Sequence, residues 1–306
     1  MRVVYSERYH IDIGAHVFPT IKYRLVHRAL ASRGGCAFVE PSPASWEDLA
    51  LVHTAAYLKK TRTGDFTLPE MAQLELPWTP EIVEGFRLMT GGTLLAARHA
   101  LEPLDAARVP AQGANQGVGL HLGGGFHHAF ADHGEGFCLF NDVAVAIRVL
   151  QREGRIARAA VVDCDVHHGN GTAAIFDGDP SVFTFSIHQQ ANYPAFKPRG
   201  SLDIGVEDRV TDREYLATLA QALPRVLAFG PDVVFYLAGA DPYEDDQLGG
   251  LALTIDGLRE RDRIVFETCR AFPTVLTLAG GYARRIDDTV AIHRGSFDAA
   301  AAVLRT

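Results

Sequence analysis

Little in this chain points to disulfides, membranes or nucleic acid. Its 306 residues hold only four cysteines, Cys36, Cys138, Cys164 and Cys269, none in a C-x-x-C pair, so reduced packing residues are expected. No run of about 18 apolar residues offers a membrane span. The opening Met1 to His10 lacks the apolar core of a signal peptide, which places the protein in the cytoplasm. Basic residues are outnumbered, 29 Lys and Arg against 37 Asp and Glu, for a net charge of −8. Broad electrostatic binding to nucleic acid needs clustered Lys and Arg, whereas a cationic substrate is compatible with this balance. No Pro-, Ser- or Gly-rich linker, internal repeat or low-complexity tract divides the chain, so residues 1–306 are expected to form one domain. Ser186 has no G-x-S-x-G elbow and no cysteine stands in a Cys/His catalytic signature, which sets acyl-enzyme mechanisms aside.

What is present is a concentration of metal-type ligands. Asp163-Cys-Asp-Val-His-His-Gly-Asn170 follows the apolar run Ala159-Ala-Val-Val162, which reads as a buried strand. Residues two apart on a strand share a face, so Asp165 and His167 can grip one ion. An Asp-x-His pair alone also suits a solvated strand end, but the pattern recurs. The apolar runs Val118–Leu122, Val182–Ile187, Val233–Ala238 and Thr274–Leu278 lead into Gly123-Gly-Gly-Phe-His-His128, His188, Gly239-Ala-Asp241 and Gly280-Gly-Tyr282. In open parallel sheets the active site lies at the carboxyl ends of the strands, and here five such ends carry polar chemistry.

Helical segments alternate with these runs. Thr211-Asp-Arg-Glu214 is a capping box opening a helix through Leu227. Further helices are expected from Asn141 to near Gly154, after Thr254, and from Leu94 to Leu101, the last preceded by Thr90-Gly-Gly-Thr93. The alternation predicts a doubly wound, mostly parallel α/β sheet flanked by helices.

Asp241 is the best third ligand, and three protein ligands with an open position mark a catalytic metal site. The Asp/His/Asp set suits Zn2+, with Fe2+, Co2+ or Mn2+ also fitting such donors. His127 and His128 offer imidazoles that can move protons near neutral pH. A hydrogen-bonded core pair is the plainer reading of adjacent histidines. Tyr282 can donate to a carbonyl oxygen as it becomes an oxyanion; a Gly-Gly-Tyr turn is otherwise loop punctuation. Together these residues describe metal-assisted hydrolysis of an amide.

These motifs resemble the histone deacetylase family over nearly the whole chain. The segments Gly123–His128, Glu135-Gly-Phe-Cys-Leu-Phe-Asn-Asp142, Asp163–Gly171 and Leu278-Ala-Gly-Gly-Tyr282 stand in family order and spacing. Tyr236–Gly250, Arg261–Phe266 and the opening His16–Tyr23 are most similar to the class IV branch. The resemblance implies the arginase/deacetylase fold, with Asp165, His167 and Asp241 on zinc and Tyr282 on the substrate carbonyl. It further implies His128 as general base and acid, and His127, paired with Asp163, as a second, electrostatic imidazole. A structural K+ is implied at Asp163, Ser186 and the backbone of Asp165, His167 and Ile187. Phe137 and Tyr193 match a tunnel for acylated lysine, with Gly123 to Gly125 at its floor and Gly280 beside it. Without the resemblance the two rings read equally well as core aromatics.

The chain departs from the family pattern twice. Asn170 stands where some branches place an aspartate behind the general base, so His128 is expected to titrate lower than in those relatives. The rim aspartate of other branches has no clear match; Glu75 is the nearest acid and reads as a solvated loop charge. The expected substrate is acylated lysine, carrying acetyl or a longer fatty acyl group, in a protein or peptide. A small N-acyl amine such as an acetylpolyamine is the second reading. An arginase-like ureohydrolase would need a bridged metal pair, where this chain offers His168 and Asn170. A non-catalytic metal-dependent binding protein would not need Tyr282 and both histidines.

Overall fold

Eight parallel strands make up one sheet, and the arrangement follows from how apolar each strand is. The computed structural model describes residues 1–102 and 117–305. The strands are β1 (Arg2–Val4), β2 (Ala37–Val39), β3 (Val118–His121), β4 (Ala159–Asp163), β5 (Val182–Gln189), β6 (Leu202–Val206), β7 (Val233–Leu237) and β8 (Thr274–Thr277). They lie in the order β2-β1-β3-β8-β7-β4-β5-β6. Every residue of β4, β7 and β8 is buried, as near-continuous apolar strands covered by helices on both faces must be. β6, at the sheet edge, alternates between half-buried and exposed positions before ending on buried Val206.

Crossover helices connect the parallel strands. Asp212–Leu227 carries the Thr211/Glu214 capping box and leads to β7; Ile255–Thr268, capped by Thr254, leads to β8. Asp142–Arg152, capped by the Asn141 side chain, leads to β4. β3, β8, β7 and β4 are neighbours in space although β8 comes last in the chain. Their carboxyl ends therefore gather segments about 160 residues apart in sequence at the reversals of strand order, where open α/β sheets place their sites. Among the described residues no helix is long and apolar enough to cross a membrane.

Two expectations need correction. The helix expected over Leu94–Leu101 runs from Pro80 to Ala100 and takes Thr90-Gly-Gly-Thr93 into its interior. The glycines are there for contact: a Cβ on Gly91 would lie 1.9 Å from the Ser42 carbonyl oxygen, and one on Gly92 2.2 Å from the Tyr9 hydroxyl. Close packing offsets the roughly 1 kcal/mol that each interior glycine costs a helix. The second difference is in β5, which continues through His188 and Gln189, so His188 sits inside a strand. Its Nδ1 lies 3.0 Å from Ser186 Oγ.

Candidate metal and acyl-amide site

Asp165 and His167 leave the end of β4, and Asp241 leaves the end of the neighbouring β7. One ligand atom from each lies within 4.8 Å of the others, all three buried. His167 Nδ1 is 3.0 Å from Asp165 Oδ1 and 3.4 Å from Asp241 Oδ2. Glycines surround the cluster because nothing larger fits: a Cβ on Gly280 would stand 1.9 Å from Asp241 Oδ2, and one on Gly239 2.6 Å from Asp165 Oδ2. The Gly280 N–H donates to Asp165 Oδ2 at 2.8 Å.

Asp241 Oδ2 is buried without a hydrogen-bond partner. Such an oxygen costs about 1–3 kcal/mol or more unless something positive meets it. Burial and the adjacent Asp165 push the Asp241 carboxyl up to about 7. Burial disfavours a proton on His167, but the two carboxylates outweigh it and draw that imidazole up to about 10. Crowded carboxylates, an orphaned oxygen and an imidazole with a proton-attracting nitrogen fit a divalent cation, which competes with protons for such donors.

The histidine pair follows β3. His127 Nδ1 lies 2.7 Å from Asp163 Oδ2, and His127 Nε2 lies 3.1 Å from His128 Nε2. Burial works against charge on His127, yet Asp163 and Asp165 push it up to about 9. His128 goes the other way: burial, then the charges of His127 and His167, hold it well below its ordinary value. Their surroundings thus push the two rings in opposite directions. The loop carrying them is pinned by Asp142, whose carboxylate accepts from the backbone N–H groups of Gly125 and Phe126 at 2.9 and 2.7 Å.

Asn170 Oδ1 is 2.7 Å from His128 Nδ1. Behind it stands Glu135, whose Oε1 accepts from Asn170 Nδ2 at 2.6 Å and from the Tyr193 hydroxyl at 2.9 Å. Its Oε2 accepts from Gln73 Nε2 at 2.9 Å. In the sequence Glu135 stands out only as the first residue of the segment Glu135–Asp142. The unassigned amide of Asn170, which needs an acceptor once its oxygen is committed, was the available signal.

A cavity of about 180 Å3 leads from the surface to the cluster, lined by Phe137, Tyr193, Tyr282, Gly125, Gly280, His128 and His167 among others. Phe18, not singled out from sequence, also lines it and stacks on Phe137, with ring centroids 6.1 Å apart and planes 7° apart. Phe137 adopts a left-handed backbone, φ 65°, a conformation that costs a bulky residue energy and persists only where its surroundings enforce it. Its N–H is held by the Leu74 carbonyl at 3.0 Å. The Tyr282 ring lies 6.5 Å from that of His167, and its N–H donates to Asp246 Oδ2 at 2.7 Å. Burial and the nearby carboxylates keep the Tyr282 hydroxyl protonated. Glu75 is exposed, as a solvated loop charge should be, but it also lines the cavity. On the sheet, Asp163 pairs with Ser186, the residue before Ile187.

Two buried cations support the site from below. Lys22 donates through Nζ to the Ala279 carbonyl at 2.7 Å. Arg261 is fully buried, with Nη1 donating to the Gly239 carbonyl at 2.6 Å and the Cys164 carbonyl at 3.3 Å. It thereby ties the segments that carry Asp241 and Asp165. Asp262 accepts from Arg261 Nε at 2.9 Å, from the Tyr236 hydroxyl and from Ser296 Oγ.

A parallel α/β sheet with a buried Asp/His/Asp cluster, a histidine pair and a tyrosine around one aromatic cavity defines a metal-site hydrolase of the arginase/deacetylase fold. The chain belongs to the histone deacetylase domain family, whose profile matches residues 16–293. An uncharacterised protein of Picosynechococcus is 39% identical over 303 residues, covering 95% of both chains. Histone deacetylase 2 of Arabidopsis thaliana is 32% identical over 311 residues, covering 94% of this chain and 77% of its own. The crystal structure of the HDA15 HD domain superposes with a TM-score of 0.77 at 25% identity, covering 100% of this chain and 91% of that one. The family consists of hydrolases acting on acyl amides, and this chain is such an enzyme.

Proposed function

We propose that the protein removes acyl groups from the ε-amine of lysine in a protein or peptide. The observation that carries this reading is the cavity itself: an aromatic passage that ends at the Asp165/His167/Asp241 cluster, with His128 and Tyr282 also in its wall. An alkyl stem suits aromatic walls, and the amide it carries is delivered to the polar end.

Asp165, His167 and Asp241 would hold the cation, with Zn2+ the first choice for this donor set. When bound it supplies Lewis acidity, polarising the carbonyl and acidifying water. Tyr282, kept as the phenol, donates its O–H to the carbonyl oxygen as negative charge develops there. His128, kept neutral, takes a proton from the attacking water at Nε2 while Asn170 Oδ1 holds Nδ1–H. The same Nε2 returns the proton to the leaving amine as the carbon–nitrogen bond breaks, giving a carboxylic acid and a free amine. His127, charged and anchored to Asp163, stabilises the negative charge of the transition state from beside His128. Phe137 and Tyr193 line the stem, while Gly125 and Gly280 leave room at its end. A structural K+ at Asp163, Ser186 and the backbone of Asp165, His167 and Ile187 belongs to the same proposal. It is supported by the pairing of Asp163 with Ser186 across β4 and β5.

Placement in the class IV branch is likewise our reading, supported by His16–Tyr23, Tyr236–Gly250 and Arg261–Phe266. A second reading, hydrolysis of an acetylpolyamine or another small N-acyl amine, is favoured by Glu75, an acid lining the same cavity where a second ammonium could meet it. Among the described residues no second ligand cluster adjoins the first, so the bridged metal pair of a ureohydrolase lacks donors.

The test is turnover by zinc-loaded protein of lysine peptides bearing acetyl, octanoyl or myristoyl groups, beside acetylated polyamines. Tyr282→Phe should lower kcat about 100-fold on the preferred substrate. Preference for the long chains supports class IV, preference for acetyl-lysine moves the protein to other branches, and activity confined to polyamines replaces the first reading with the second.

A further inference from the structure

A general base that works through Nε2 must carry its resting proton on Nδ1, and an asparagine does not guarantee that. The two ends of an amide are nearly the same size, and a flipped Asn170 would present its NH2 to His128. Nδ1 would then have to accept, the proton would move to Nε2, and the base would be occupied. An aspartate at this position, which can only accept, would not have this weakness.

Glu135 removes it. The carboxylate lies 2.6 Å from Asn170 Nδ2, and an ionised carboxylate accepts only. Asn170 must therefore turn its NH2 toward Glu135 and its oxygen toward His128, which forces Nδ1–H. Glu135 is in turn fixed by donors on both oxygens, Tyr193 at 2.9 Å on Oε1 and Gln73 at 2.9 Å on Oε2, with His133 Nε2 at 3.5 Å from Oε2. Those donors outweigh its burial and hold it ionised, down to about 2. At the other ring nitrogen, His128 Nε2 lies 3.1 Å from His127 Nε2. The Asn170 face of His128 thus demands the Nδ1–H tautomer.

We propose that Glu135 is a positioning residue whose carboxylate, acting through the Asn170 amide, locks His128 in the Nδ1–H tautomer. The inference rests on His128 being the general base of the proposed reaction. The negative charge that other branches place directly on the histidine is here set one side chain further back, where it also receives the hydroxyl of the tunnel tyrosine Tyr193.

A charge-transposition cycle tests this. In Glu135→Gln the amide is free to flip, and kcat should fall about 10- to 100-fold with KM changed less than about 3-fold, within the range general acid–base catalysis supplies. Asn170→Asp should also lose activity, because two carboxylates then face each other at hydrogen-bond distance. Glu135→Gln/Asn170→Asp restores an acceptor-only group beside His128, backed by an amide that can donate to it. It should recover to within about 5-fold of the parent. A residue that merely supports the fold gives a double variant no better than the worse single one, which would overturn the proposal, as would full kcat in Glu135→Gln. Side-chain 15N NMR of the zinc-loaded histidines reads the tautomer without turnover: Nδ1–H in the parent and double variant, and a mixture in Glu135→Gln. Unchanged spectra in Glu135→Gln sink the idea. The expected spectra in a protein that hydrolyses nothing would leave the lock standing and count against the amidohydrolase reading alone.

Discussion

His53 shows how one side chain couples the site's supporting loop to pH. Its Nδ1 must donate to the Phe130 carbonyl at 3.0 Å, and its Nε2 must accept the Asn141 N–H at 3.1 Å. The ring is thus required to be neutral, and burial lowers it from 6.5 to about 4. As pH falls, the unfolded chain takes up the proton first, so the stabilisation is complete above about pH 6.5 and drains away between 6.5 and 4. The slope is about 1.4 kcal/mol per pH unit. His53→Gln keeps a donor and an acceptor without titrating; its urea midpoint should depend less steeply on pH across that window, and an unchanged slope would refute the assignment. At the cluster, Asp241→Asn removes a carboxylate charge and should abolish the rise in melting temperature expected when zinc is added to the parent protein. Where [Zn2+] is about 100 times Kd, that rise corresponds to about 2.7 kcal/mol.

At the level of strands and helices, Arg261 in the helix Ile255–Thr268 joins the carboxyl ends of β4 and β7 through two backbone carbonyls. Arg261→Met leaves Asp262 buried without its cation and should cost about 3–5 kcal/mol in denaturant unfolding. Adding Asp262→Leu should return part of that loss, because a buried pair is worth little relative to apolar packing. The same elements show why the sequence was legible where it was. Asp165, His167, Asp241 and Tyr282 sit within a few residues of strands apolar enough to read unaided, so local pattern and spatial position coincide. Gly91 and Gly92 read as a helix boundary because local propensity cannot register the Ser42 and Tyr9 contacts that require glycine. β1 and β2, three residues each, were too short to carry a period, and the exposed positions of β6 broke its apolar run. Glu135 was invisible for a different reason. Its partners Gln73, Asn170 and Tyr193 are 62, 35 and 58 residues away, and only the fold brings them together.

For the whole molecule, the position of β8 has a temporal meaning. The sheet consists of a left part, β2-β1-β3, and a right part, β7-β4-β5-β6, and among the described residues β8 alone bonds to both. β3 leads to the histidine pair and the right part leads to the Asp165/His167/Asp241 cluster, so the sheet unites the two only once Thr274–Thr277 is in place. A chain emerging from the ribosome has His127, Asp165 and Asp241 before it has that strand, and long-range parallel pairing is slow to form. Hydrolytic competence therefore waits on one strand, β8, rather than building up strand by strand.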